Sequence, residues 1–179
     1  MTSHDATTLN LAQIVEQHAR LRPAQEAVVF GETRLTYQQF NAYTNRVANA
    51  LRSLGVGRGD HVALSCPNLP YFPIAYFGIL KAGAAVVALN VLLKPREIAY
   101  HLNDSDAKAL FVFEGTPELP MAEMAKAGFD EAPGCRHLIV MMKDPAAPSL
   151  IEGAPTLGQL IFDQPDTFEI CPTQPDETA

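Results

Sequence analysis

The stretch that most invites a chemical reading is Gly55-Val56-Gly57-Arg58-Gly59-Asp60. Glycine-rich loops cradle phosphate when they follow a strand and open a helix, because free backbone N–H groups then point at the anion. The apolar pattern here runs the other way, helix first and strand after, and the spacing misses G-x-G-x-x-G. The stretch therefore reads as a helix stop and turn. His4, His18, His61, His101 and His137 show no H-x-x-x-H spacing and no cysteine pair nearby, so they offer no metal set. Cys66 precedes Pro67 at a strand end, where a small buried residue is the better reading than a nucleophile. Ser65 lacks a G-x-S-x-G elbow. Tyr71, Phe72, Tyr76 and Phe77 cluster on one helix and read as core or interface rather than as a ligand pocket. Strand ends at Cys66-Pro67-Asn68 and Asn90-Val91 offer small polar groups without an acid–base pair. No residue is assigned a catalytic, cofactor-binding or metal-binding role.

The elements that would position such groups are clear. Leu80 to Leu89 reads as the last turn of a helix, a glycine stop at Gly83, and a strand covered on both faces. Lys81 sits in that last turn, where a cation suits the helix dipole. Upstream, Leu9 to Arg22 carries Leu11, Ile14, Val15, His18 and Leu21 at helical spacing and stops at Pro23. Ala27 to Phe30 and Arg34 to Thr36 flank a hairpin turn at Gly31-Glu32-Thr33. Thr36 and Gln39 match a capping box, followed by the stripe Phe40, Tyr43, Val47, Ala50, Leu51 and Leu54, which Gly55 ends.

His61 to Cys66 is a strand, and Asn68 is placed to cap the next helix, with Pro70 in its first turn. Pro95 opens a helix with Ile98 and Leu102 inward, closed at Asn103-Asp104-Ser105. Ala109 to Phe113 is a strand, Glu118 to Lys126 a helix, His137 to Met142 a strand and Thr156 to Phe162 a short helix. The alternation predicts an α/β fold, a parallel βαβ sheet with helices on both faces. Residues 163–179 carry Pro165, Pro172, Pro175 and five acidic groups, and read as an acidic linker after a domain spanning 1–162.

A chain of 179 residues with 47% apolar and 18% charged residues can bury one core. Its net charge of −7 argues against a nucleic-acid partner, which needs a basic face. No apolar run approaches the roughly 20 residues of a membrane span. The first residues lack the basic and apolar regions of a signal peptide. Cys66, Cys135 and Cys171, odd in number and far apart, read as free thiols in a reducing compartment. The expected location is cytoplasmic.

Four segments, in order, resemble the adenylate-forming (AMP-binding) superfamily of acyl-CoA synthetases, peptide-synthetase adenylation domains and luciferases. Arg34-Leu35-Thr36-Tyr37-Gln38-Gln39-Phe40 resembles its L-T-Y-x-E-L core, and Val56 to Leu64 its G-V-x-x-G-D-x-V-A turn and strand. Phe77 to Val87 resembles its second core motif, and Pro95 to Ser105 continues in register. The resemblance covers residues 9–165. Ala88 and Val91 stand where prolines are usual, and Gln39 and Phe40 replace glutamate and leucine; all four changes keep the elements. Leu92-Leu93-Lys94-Pro95-Arg96-Glu97-Ile98 is most similar to fatty-acyl–CoA ligases.

The resemblance implies the N-terminal subdomain of the acyl-CoA synthetase fold. It also implies a parent enzyme that activates a fatty or other carboxylic acid with ATP and Mg2+ to acyl-AMP, then transfers the acyl group to CoA. The family's Ser/Thr/Gly-rich ATP loop, aromatic–Thr-Glu motif, ribose-binding aspartate and C-terminal lysine have no counterpart in these residues. The chain is accordingly expected to be an N-terminal fragment, inactive alone, with no cofactor bound, and able to form a homodimer through an exposed apolar face. The rival expectations are a stand-alone non-catalytic binding domain and, last, a flavodoxin-like nucleotide binder. The latter needs a phosphate loop after the first strand, where Gly31 instead sits in a hairpin.

Overall fold

A computed structural model describes residues 10–174 and 177–179. His4, Leu9 and Pro175 lie outside them. The chain runs α1 (Gln13–Leu21), β1 (Glu26–Phe30), β2 (Thr33–Thr36), α2 (Tyr37–Ser53), β3 (His61–Ser65), α3 (Tyr71–Ala82) and β4 (Ala85–Ala88). It continues through α4 (Pro95–Asp104), β5 (Ala107–Phe113), α5 (Met121–Asp130), β6 (His137–Met141) and α6 (Leu157–Ile161).

β1 and β2 form an antiparallel hairpin in which Phe30 faces Thr33 across the turn. β3 to β6 form one parallel sheet in the order β4-β3-β5-β6. From β3 the chain steps one way to β4, then back across β3 to β5 and on to β6. Right-handed crossovers with opposite steps put α3 on one face and α4 with α5 on the other. The helix contacts agree, α3 packing on α2 and α4 on α5. Central β5 shows why the sheet lies inside: six of its seven residues are buried and only Lys108 is not. The parallel α/β architecture read from the sequence is the one observed.

Local rules explain most boundaries. Thr36 caps α2 through the Gln39 amide N–H while the Gln39 side chain accepts from the Thr36 N–H, and Thr156 with Gln159 repeats the device on α6. Gly83 takes φ +84° at the end of α3. Gly78 answers a different need: a Cβ there would lie 2.5 Å from the Cβ of Val47. Only glycine lets α3 settle this closely on α2.

Four expectations change. α1 starts at Gln13 rather than Leu9, and of the apolar residues at helical spacing Val15 is buried, whereas Leu11, Ile14 and Leu21 are exposed. Asn68 does not cap α3. Backbone bonds from Leu69 N–H to the Pro67 carbonyl and from Phe72 N–H to the Leu69 carbonyl make a turn first, which moves the cap position to Pro70. Pro73 then occupies the third helical position and removes one N–H that a cap would have served. α5 starts at Met121 rather than Glu118, because Thr116 and Leu119 close a turn by paired backbone bonds and Pro120 restricts the residue before it. β4 is an edge strand, with Val86 and Val87 half-buried and Ala88 exposed, so it is not covered on both faces.

Candidate functional site

In an open parallel sheet the crevice for ligands lies at the carboxyl ends of the strands, where the connection direction reverses. That point is here between β3 and β5. β3 delivers Cys66, Pro67 and Asn68 to it, and β5 delivers Glu114 and Gly115. β6 runs into Lys143 and Asp144 beside them. Glu114 Oε1 accepts the Lys143 backbone N–H at 2.7 Å, tying the loops after β5 and β6 together. Asp144 Oδ1 accepts the Ala146 N–H at 3.0 Å. On the other side, Asn90 Oδ1 accepts the Leu92 N–H at 2.9 Å and turns the chain out of β4 toward α4.

Tyr71, the first residue of α3, faces this crevice. Its phenol is pushed up to about 12, first by burial and then by Asp144, Cys66, Glu114 and Tyr43. Burial likewise pushes the Cys66 thiol up to about 12. Cys66 is buried at the end of β3, the packing that its sequence context suggested. The aromatic cluster behaves similarly. Phe72 stacks on Tyr76 at 6.0 Å, and Phe77 meets Phe40 edge-on at 5.8 Å. The Phe40–Phe77 contact joins α2 to α3, and Phe72 and Tyr76 stack within α3.

The glycine-rich turn at Gly55–Asp60 holds elements together instead of waiting for an anion. Asp60 Oδ2 accepts the Gly57 N–H at 2.9 Å, and the Asp60 carbonyl accepts the Ala85 N–H at 2.9 Å. His18 stacks on Tyr37 with ring centroids 4.9 Å apart. No three His, Cys, Asp or Glu side chains converge as a metal would require among the described residues.

Side chains of both charges, Glu114, Lys143 and Asp144, stand at the strand ends of the crevice.

One polar residue escaped the sequence reading. Lys81, read as a cation suiting the dipole in the last turn of α3, is fully buried and is the one buried charged side chain among the described residues. Its ammonium donates to Asn41 Oδ1 at 2.6 Å and to Asn45 Oδ1. Burial pulls its pKa down to about 8, against a smaller upward pull from Glu16. The signal that could have found it is the i, i+4, i+8 run Asn41, Asn45, Asn49, a polar line beside the apolar stripe of α2.

Comparison with known proteins gives consistent matches. The family described as "AMP-binding enzyme" matches residues 15–179. A long-chain-fatty-acid–CoA ligase of Mycobacterium tuberculosis, FadD13, is 37% identical over 123 residues, covering 68% of this chain and 24% of the ligase. A 3-hydroxybenzoate–CoA/4-hydroxybenzoate–CoA ligase of Thauera aromatica is 32% identical over 155 residues, covering 87% of this chain and 28% of the ligase. The crystal structure of the anthranilate CoA ligase AuaEII with anthranoyl-AMP superposes with a TM-score of 0.83 and 29% identity, over 93% of this chain and 30% of that one. The chain thus spans about a quarter of the length of the curated relatives it matches.

Proposed function

The chain belongs to the AMP-binding enzyme family, and from that membership we infer that it serves as the N-terminal α/β scaffold of an acid–CoA ligase. In that role the protein activates a carboxylic acid with ATP and Mg2+ as an acyl-adenylate, then passes the acyl group to CoA. The observation that carries the reading is the family match over residues 15–179. The occurrence of CoA ligases among both the sequence relatives and the structural neighbours supports it.

Residues 1–162 form the scaffold and 163–179 the connecting segment. The chain's own contribution is mechanical. The parallel sheet and its α2–α3 layer present a rigid wall. Residues 1–179 alone are therefore inactive, and nucleotide, metal and CoA are held by other residues of the ligase.

The acid is a fatty acid, on the likeness of Leu92–Ile98 to fatty-acyl–CoA ligases and the 37% identity to FadD13. The experiment is CoA-thioester formation by the full protein with a long-chain fatty acid and with benzoate, each with ATP and Mg2+. Turnover of the fatty acid with the larger kcat/KM is expected. Turnover of benzoate alone would move the substrate to the aromatic acids, and turnover of neither would remove the ligase reading.

A further inference from the structure

Residues 163–174 have no regular secondary structure, yet they lie along α2 in one course. Their contacts share an unusual feature: side chains of the scaffold grip main-chain groups of the segment. Asn45 Nδ2 donates to the Asp166 carbonyl at 2.7 Å. Asn49 Nδ2 donates to the carbonyls of Pro165 and Thr167, each at 2.9 Å. Farther along, Asn10 Nδ2 donates to the Cys171 carbonyl at 3.0 Å and to the Leu80 carbonyl at 2.6 Å. The Cys171 N–H in turn donates to the Lys81 carbonyl at 2.9 Å. Phe168 adds a side-chain contact, lying under the Arg52 guanidinium at 4.7 Å from the ring centroid.

Asparagine is a suitable reader of main chain only if its amide is held the right way round, since either end can face a neighbour. Lys81 settles this for Asn45. An ammonium has donors and no acceptor, so both Asn41 and Asn45 must turn their oxygens toward it. The Asn45 N–H2 group is thereby aimed outward at Asp166. Asn49 is oriented by a second cation, Arg52, whose Nη2 donates to Asn49 Oδ1 at 2.7 Å. Two cations thus fix two amides, and the amides present donors at the spacing of one helical turn.

We propose that the α2–α3 edge is a built receptor for extended main chain, filled in cis by residues 165–171, with Lys81 as the positioning residue that holds its asparagine donors in register. Such a receptor reads the carbonyls of residues 165, 166, 167 and 171, with Phe168 adding a side-chain contact under Arg52. It therefore fixes the course of the segment leaving the scaffold without reading the side chains of Asp166 and Thr167. The proposal stands apart from any catalytic role of the protein, and its test needs no activity.

Cys171 supplies the readout. Its thiol packs so closely on α3's end that a Cβ at Gly83 would lie 2.6 Å from its Sγ, so lifting the segment exposes it. The rate of thiol alkylation at Cys171, followed by peptide mass, is measured in the full 179-residue chain and its variants. Lys81→Met removes the orienting charge while filling the same space. Asn45→Asp keeps an acceptor for Lys81 but replaces the donor that meets Asp166. Both should accelerate Cys171 labelling by about tenfold or more, equivalent to about 1.4 kcal/mol in the opening equilibrium, with the cooperative unfolding transition retained. Asp166→Ala and Thr167→Ala, which leave the carbonyls in place, should label at the parent rate. An unchanged Cys171 rate in either folded receptor variant overturns the proposal. So does acceleration in the two carbonyl-preserving variants, which would show side-chain recognition. Loss of folding in both receptor variants also overturns it, because the network would then hold the core and not the segment.

Discussion

Lys81 keeps its proton near neutral pH against the cost of its own burial. Its pKa lies at about 8 instead of 10.5, with desolvation the first cause. Below pH 8 the amine is protonated whether the chain is folded or not. Between pH 8 and 10.5 the unfolded chain holds a proton that the folded chain has released, so stability must rise with pH through that window. The full rise is worth about 3 kcal/mol at 1.36 kcal/mol per pH unit. Cys66 and Cys135 act in the opposite sense, because burial pushes their thiols up to about 12 and about 11 and the unfolded thiols ionise first. The comparison that isolates the lysine is urea unfolding of the parent and Lys81→Met from pH 7 to 10.5. The difference in unfolding free energy between them should move in the parent's favour as pH rises; a pH-independent difference would show that Lys81 titrates normally. The same cysteines give a second prediction. Alkylation at pH 8 should modify half-buried Cys171 well before Cys66 or Cys135, and early loss of the Cys66 thiol would reopen its reading as a nucleophile.

Among the elements, the α2–α3 contact is the tightest joint. A methyl group at Gly78 would meet Val47 at 2.5 Å and the Thr44 carbonyl at 3.1 Å. Gly78→Ala should therefore cost about 1–3 kcal/mol of overpacking in spite of alanine's better helix propensity. Val47→Ala in the same chain should recover part of it, a coupling that a double-mutant cycle in urea measures. Thr36→Ala should cost about 1 kcal/mol through the lost cap on α2, read from the same unfolding curves.

Element identity was legible in the residues because capping boxes, glycine stops and β-branched runs act over a few neighbours. Thr36 with Gln39, Gly83 and the run at β5 all stood where local rules put them. What was not legible depended on distant partners. Nothing near Asn68 in sequence shows that Pro70 takes the cap position, and β4 becomes an edge only once the strand order is set. Lys81 looked like a dipole-satisfying cation because Asn41 and Asn45 lie about forty residues upstream and meet it only when α3 lies on α2. The strand ends that make the candidate crevice were legible. The carboxylates Glu114 and Asp144 beside Tyr71 were not, since three loops must converge before they share a space.

At the scale of the whole molecule, a four-stranded parallel sheet with helices on both faces and the β1–β2 hairpin make up the fold that superposes on the CoA ligases. No helix among the described residues is long and apolar enough to cross a membrane. Leu11, Ile14, Leu21, Val29 and Phe30 are exposed apolar residues on α1 and the hairpin. We propose that they support self-association of the isolated chain; sedimentation velocity should show a heavier species growing with concentration, and a monomer throughout would refuse it.

We propose that these residues are the scaffold of an acid–CoA ligase whose chemistry other residues supply. ATP–pyrophosphate exchange in the presence of a long-chain fatty acid tests it most directly, run on the purified 179-residue chain beside the full protein. The account predicts exchange by the full protein and none above background by the 179 residues. Fatty-acid-dependent exchange by the 179 residues alone would contradict it.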